Sequence, residues 1–271
     1  MKHINNTKLP KALISAGILF VLYFTTVFGQ SDANTQDLAK QSANPIAKLI
    51  SLPIQFNFNQ GLGDFDRSQL VLNIQPVLPI SINDNVNMIN RIIIPLINQP
   101  DVSSESGGTF GIGNTNYTAF FTPAKPGALI WGIGPSFNLP TISSTRLGGN
   151  EFGVGASFVA LVMPGKWAFG LLANNIWSYL NPNLNTFFSQ YFIVLNFEKG
   201  WFINSAPTLT ANWNADDGEQ WTIPFGIGGG KVTHIGKQPI KLQAGGYYYA
   251  VKPEGGPEWL LQLMVVLLFP K

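Results

Sequence analysis

The chain is 271 residues long, with 11% charged, 45% hydrophobic and 13% aromatic residues, 28 Gly, 19 Pro and no Cys. Disordered chains carry more charge and fewer aromatics, and without cysteine there is no disulfide framework, thiolate metal site or thiol nucleophile. The formal charge is +2, from 16 Lys and Arg against 14 Asp and Glu; three of those bases (Lys2, Lys8, Lys11) belong to the amino-terminal leader described next, so the remainder lacks the basic surplus of a nucleic-acid binder.

Met1 to Pro10 is polar and basic, Ala12 to Phe28 is almost continuously apolar, and Val27-Phe28-Gly29 offers a small residue just before Gln30. This order reads as a secretory signal peptide over 1–29, the alternative for so long an apolar run being an uncleaved anchor. Residues 30–49 form a polar lead-in. Within it Asp32 and Asn34 are candidate helix caps, and Leu38, Ala39, Ala43 and Ile46 recur at helical spacing, as in a short plug or a flexible periplasmic segment.

From Ile50 onward the period is two. Ile50, Leu52, Ile54, Phe56 and Phe58 alternate with Ser51, Pro53, Gln55, Asn57 and Asn59, and the pattern returns in Trp131-x-Ile133, Tyr191-x-Ile193-x-Leu195 and Trp221-x-Ile223-x-Phe225. Breaks at Gly, Pro, Asn and Asp clusters divide residues 50–271 into twelve strands: 50–60, 67–81, 86–98, 109–123, 128–139, 151–163, 167–180, 185–198, 201–213, 220–232, 239–252 and 258–270. Twelve suits an even-numbered bacterial barrel. In the third strand Ile92-Ile93-Ile94 blurs the alternation, which leaves its inward phase open, and Gly111 and Gly113 dilute the fourth.

The connections sort by length and charge. Loops near 61–66, 99–108, 140–150, 181–184, 214–219 and 253–257 hold acids such as Asp64, Asp101, Asp216 and Glu254; the intervening turns near 83–85, 124–127, 164–166, 199–200 and 233–238 hold Lys125, Lys166, Lys199 and Lys237. Long outer loops and short inner turns belong to an outer-membrane barrel, although 233–238 is long for a turn. Trp259 to Phe269, the most apolar stretch, reaches only ~16 Å as a helix against a hydrocarbon core of ~30 Å, but spans it as a tilted strand. Strands in lipid leave no backbone group unpaired only if the sheet closes. The seven tryptophans (Trp131, Trp167, Trp177, Trp201, Trp213, Trp221, Trp259) fall at or near strand ends, as interfacial girdles require. The competing architecture, a soluble sandwich with an aromatic core, leaves export and the low charge unexplained.

Motifs for chemistry fail. Gly226-Ile227-Gly228-Gly229-Gly230-Lys231-Val232 lacks the first glycine and the Ser or Thr of a phosphate loop, and reads instead as close strand packing or room in a crowded lumen. His234, the one histidine beyond the leader, sits in an inner turn, and no nucleophile elbow exists. Asp64 with Asp66, and Asp216 with Asp217 and Glu219, match no calcium loop. The sequence therefore carries no catalytic, metal or cofactor site.

With the greasy phase toward lipid, the other phase lines a pore: Gln55, Asn57, Asn73 and Gln75 on the first two strands, then Asn114, Asn116, Ser136, Asn138 and Asn174. Further along come Gln190, Asn196, Asn204, Asn212, Gln243, Tyr247 and Tyr249, with Thr208, Thr210, Thr222 and Gln262 in the same phase. Arg91, Glu198 and Lys241 are the charges expected to point inward, each needing a counter-charge or water. Twelve staves leave a narrow bore or one closed by the lead-in segment.

The lead-in Leu38-Ala39-Lys40-Gln41-Ser42-Ala43-Asn44-Pro45-Ile46 running into Leu49-Ile50-Ser51-Leu52-Pro53-Ile54-Gln55, the Gly111-Ile112-Gly113-Asn114 strand start and the closing Leu268-Phe269-Pro270-Lys271 resemble a bacterial family of outer-membrane transporters often mislabelled neuromedin U, related to barrels encoded with phenol meta-cleavage pathways. The likeness covers nearly all of the exported part. It implies an outer-membrane barrel and transport, and brings no catalytic residues; Pro270 and Lys271 depart from the aromatic terminus of a strict barrel-assembly signal. The expectation is a twelve-stranded antiparallel barrel in the outer membrane of a Gram-negative bacterium, without enzymatic activity. Its partners would be outer-membrane lipid, the barrel-assembly machinery and a small solute that diffuses through, neutral or weakly polar and in that range hydrophobic or aromatic. The alternatives are a non-conducting structural or adhesive barrel and an outer-membrane hydrolase.

Overall fold

The computed structural model describes residues 35–178 and 184–270. The leader over 1–29, the caps Asp32 and Asn34, part of the loop near 181–184 and Lys271 lie outside the described residues. One α-helix, α1 (Thr35–Ser42), precedes fifteen strand segments of one antiparallel sheet. In chain order they are β1 (Ile50–Leu62), β2 (Arg67–Ile74), β3 (Val77–Ser81), β4 (Val86–Pro100), β5 (Gly108–Ile112), β6 (Thr115–Pro123), β7 (Leu129–Leu139) and β8 (Gly153–Val162). The rest are β9 (Trp167–Trp177), β10 (Asn185–Asn196), β11 (Trp201–Ser205), β12 (Thr208–Asn212), β13 (Trp221–Ile235), β14 (Gln238–Val251) and β15 (Trp259–Phe269).

Three interruptions reduce fifteen segments to twelve staves: β2 with β3 across Gln75-Pro76, β5 with β6 across Gly113-Asn114, and β11 with β12 across Ala206-Pro207. Two of the three carry proline, which has no N–H for the ladder. Each stave pairs with its sequence neighbour, and β1 pairs with β15 in continuous register from Ile50↔Phe269 to Gln60↔Trp259. That seam closes the barrel and leaves no edge, the condition that hydrocarbon imposes on strands.

The end at which β1 begins and β15 ends is the inner end. Its turns are short. The β13–β14 hairpin, read from sequence as a long turn over 233–238, is a two-residue turn of Gly236 and Lys237, because Ile235 pairs with Gln238 and His234 with Pro239. His234 is thus the exposed end of a strand.

The phases are clear. Trp131, Ile133, Phe158, Phe169, Leu171, Phe225, Ile227, Leu261 and Leu263 point outward and are exposed. Ser136, Val159, Leu172, Val194, Tyr247 and Leu268, in the opposite phase, are buried. Arg91 pairs with Thr118, which bonds across to Ser136 on the lumen side, so the odd-numbered residues of β4 face inward and Ile92 and Ile94 face out.

Candidate functional site

The lumen is built in tiers. At the inner end the inward side chains are themselves apolar, and the lead-in segment packs on them. Leu38, Ala39 and Leu49 bury against Val232 of β13 and Val266 and Leu268 of β15; Ala43 buries against Ala168, Val194 and Phe202; Ile46 joins Ile89, Phe120, Val159, Leu161, Leu172 and Phe192. The segment therefore crosses from one wall to the opposite wall and returns to start β1. Helix α1 ends where Ser42 Oγ donates to Ala39 O and Pro45 follows, and Asn44 Oδ1 accepts from Ile46 N–H to hold the turn.

Above the segment lie two cavities. The inner one, about 180 Å³, is lined by lead-in residues, by Gln55, Gln75, Gln190, Asn204, Gln243 and Gln262, by Arg91 and Lys241, and by the apolar Val77, Phe192, Met264 and Val266. The outer one, about 510 Å³, is lined by Asn116, Asn138, Asn174, Asn212, Thr210, Thr222, Phe187, Phe188 and Glu219. Arg91 lines both. Amides organise the inner tier: Gln75 Nε2 donates to Gln55 Oε1 at 3.0 Å, Gln55 Nε2 to Asn57 Oδ1 at 2.9 Å, and Gln262 Nε2 to the same Asn57 oxygen at 3.2 Å.

Of the residues read from sequence as lumen-facing, eight line the inner cavity: Gln55, Gln75, Arg91, Gln190, Asn204, Lys241, Gln243 and Gln262. Asn116, Asn138, Asn174, Thr210, Asn212 and Thr222 line the outer one. The others are elsewhere. Asn57 is inward on β1 but accepts from Gln55 and Gln262, Asn73 pairs opposite Gln55 on β2 without lining either cavity, and Ser136 is fully buried between Thr118 and Ser157. Asn114 donates to Gly149 O in an outer loop, and Asn196 to Lys166 O in an inner turn. Tyr247 lies buried beside Gly226 and Gly245, whose missing side chains make room for its ring, while Tyr249 donates to Asn59 Oδ1 at 2.9 Å near the outer rim. Glu198 stands exposed in the short 3-10 turn Glu198–Gly200, so it is not an inward charge. The turn takes it out of strand phase.

Sequence alternation missed the apolar lining, Phe188, Phe192, Val194, Val266 and Leu268, because polarity was its only marker for the lumen side. The glycine run fits close packing: a side chain on Gly230 would meet Phe202 Cζ at 2.8 Å. Among the described residues no group of three His, Asp or Glu is placed to hold a metal ion.

No family model matches the chain, and no curated protein matches it significantly. Solved structures do. The COG4313 outer membrane channel from Pseudomonas putida F1 superposes with a TM-score of 0.62 at 17% identity, over 82% of this chain and 96% of its own. The chain has an outer-membrane barrel fold. Two looser likenesses are the outer membrane phospholipase of Salmonella typhi, solved as a dimer with bound calcium (TM-score 0.48, 10% identity, 88% of this chain and 99% of that one), and the CymD monoaromatic hydrocarbon channel (0.40, 10%, 87% and 90%). At those scores neither bears on function.

Proposed function

We propose that this chain is an outer-membrane channel through which small, neutral or weakly polar solutes, aromatic ones among them, diffuse passively toward the periplasm. The observation that carries this reading is the pair of amide-lined cavities stacked inside a closed wall, meeting at Arg91. Amides offer hydrogen bonds to a passing solute, and the phenylalanines and aliphatic residues between them offer it apolar surface. The barrel likeness to a protein described as an outer membrane channel supports the same reading. Outer-membrane lipid against the exposed face and delivery by the barrel-assembly machinery follow from it, and no catalytic role is assigned to any residue.

In this reading the lead-in segment, packed across the inner end, limits the bore. Reconstituted into planar bilayers, the folded protein is expected to give discrete, small current steps that grow when residues 35–48 are deleted. A flat trace from both forms, each shown to be folded by its heat-modifiable migration, would favour a second reading, a non-conducting structural barrel. The apolar packing of the segment across the inner end is the observation on that side.

A further inference from the structure

The inner cavity holds two positive charges and no negative one. No Asp or Glu is among the residues that line it. The guanidinium of Arg91 donates from Nη2 to Gln75 Oε1 at 3.1 Å, one engagement for a group with five N–H donors. The ammonium of Lys241, whose side chain is 8% exposed, stands 4.6 Å from the centroid of the Phe202 ring. Among the described residues the one ion pair is Lys252 with Glu258, near the outer rim.

The register connects these two cations around the wall of the one cavity that both line. Lys241 pairs with Val266, Val266 with Pro53, and Pro53 O accepts from Gln75 N–H, whose side chain receives Arg91. They sit four staves apart in a ring of twelve, with Gln55, Gln75, Gln243 and Gln262 between and around them. Placing a cation in a confined space without a partner opposes folding, and the surrounding glutamines show that neutral side chains fill this tier equally well. A ligand that brings the missing charge removes the penalty. The other walls, Val77, Phe192, Met264 and Val266, suit an apolar body, and the volume is close to the ~150 Å³ of a cavity known to take benzene.

We propose that Arg91 and Lys241 form an anion subsite in the inner cavity that receives the carboxylate of a small organic acid, its apolar body lying against Phe192 and Met264. The inference rests on reading the lumen as a solute path, and it departs from the neutral solutes of that reading by giving the solute an anionic head on an apolar body. No bond is made or broken; the acid is held by charge-assisted hydrogen bonds from the guanidinium and ammonium.

The test is equilibrium binding of benzoate and of benzamide, its neutral isostere, to the full-length folded protein in detergent, by calorimetry in chloride-free buffer. The expected result is benzoate binding about tenfold or more tighter than benzamide, with the preference falling toward unity in Arg91→Gln and Lys241→Gln and retained in Lys241→Arg. Equal affinities in the wild type, or binding of neither, overturn the subsite. Competition by added chloride to the point of abolishing the preference, with no contribution from the ring, assigns the pair to inorganic anions and overturns the organic-acid claim. Because the wild-type comparison needs no variant, misfolding of a mutant does not cloud it. A barrel that passes no current yet prefers benzoate removes the channel reading and keeps the subsite; a conducting barrel indifferent to benzoate does the reverse.

Discussion

Ile46 Cδ1 lies 3.3 Å from the point where Gly132 would carry its first side-chain carbon. The glycine leaves a dimple in β7, and the lead-in segment fills it with an isoleucine that is 4% exposed. Two substitutions therefore attack one contact from opposite sides. Ile46→Ala empties the dimple and forfeits about 2–5 kcal/mol of packing, and Gly132→Val fills it from the wall and expels the isoleucine. Both are expected to loosen the segment and raise unit conductance in planar bilayers while the barrel still migrates as a folded species. Unchanged conductance in both would show that the segment does not set the bore.

The start of α1 rests on the inner turn between β10 and β11. Gly200 has φ +78°, and a side-chain carbon there would press on the carbonyl oxygen of Val232 and stand 2.8 Å from Thr35 Cγ2. Gly200→Ala imposes a left-handed residue and a steric push together, about 1–2 kcal/mol for the backbone alone. The helix amides over 35–42 should exchange faster with deuterated solvent, whereas those of β1 and β15 should keep their protection.

Much of this barrel is legible in its residues, and the exceptions have physical causes. Strands such as Tyr191 to Phe197 declare their phase because polar and apolar side chains alternate, and all twelve staves fall where turn residues bound such runs. The phase of β4 was hidden by Ile92-Ile93-Ile94, since its inward Ile89, Ile93 and Ile97 are as apolar as the outward face, and the inward polar residues Asn87, Arg91 and Gln99 are matched by outward Asn90 and Asn98. Val159 and Leu161 were unreadable for a related reason. They face inward but are greasy because a segment distant in sequence covers them, and alternation assumes that the inside is wet. The tier that joins Arg91 to Lys241 depends on barrel register across four staves, which no local pattern encodes.

Arg67 reaches across to the outer loop between β4 and β5 and binds three of its carbonyls. Arg67 Nη1 donates to Asp101 O at 3.1 Å and also to Ser104 O, and Nη2 donates to Gly107 O at 2.9 Å. Lysine lacks the planar fork for these carbonyls, so Arg67→Lys is expected to lose about 1.5–3 kcal/mol of local order, read as faster amide exchange confined to residues 101–107.

The same loop has a pH response of known sign. Ser103 donates both its hydroxyl, at 2.6 Å, and its N–H, at 3.1 Å, to Asp101 Oδ1, which holds that carboxyl below its ordinary range. A lowered pKa stabilises the folded loop above the unfolded carboxylate pKa, and the contribution is lost as pH falls through the folded value. Carbon-13 titration of Asp101 should give a midpoint below that of a free aspartate, moving up in Ser103→Ala. An unmoved midpoint would show that the serine does not hold the carboxylate.

On the outward phase of β4, Asn90 is a polar side chain on the lipid side, and its engagement explains its tolerance. Its amide donates to Leu78 O at 3.1 Å, and its oxygen accepts from the hydroxyl of Tyr117 at 2.8 Å. Tyr117 in turn lies 6.0 Å, centroid to centroid, from the stacked ring of Phe137, which fixes its orientation. Tyr117→Phe keeps the ring and the stacking and removes one proton donor, leaving the Asn90 oxygen without a partner where there is no water to replace it. The expected cost is about 1–3 kcal/mol in urea unfolding from lipid vesicles. The double variant Tyr117→Phe with Asn90→Leu removes the orphaned oxygen too, and should recover most of the loss; if it is no more stable than the single variant, the hydrogen bond is not what makes Asn90 acceptable there.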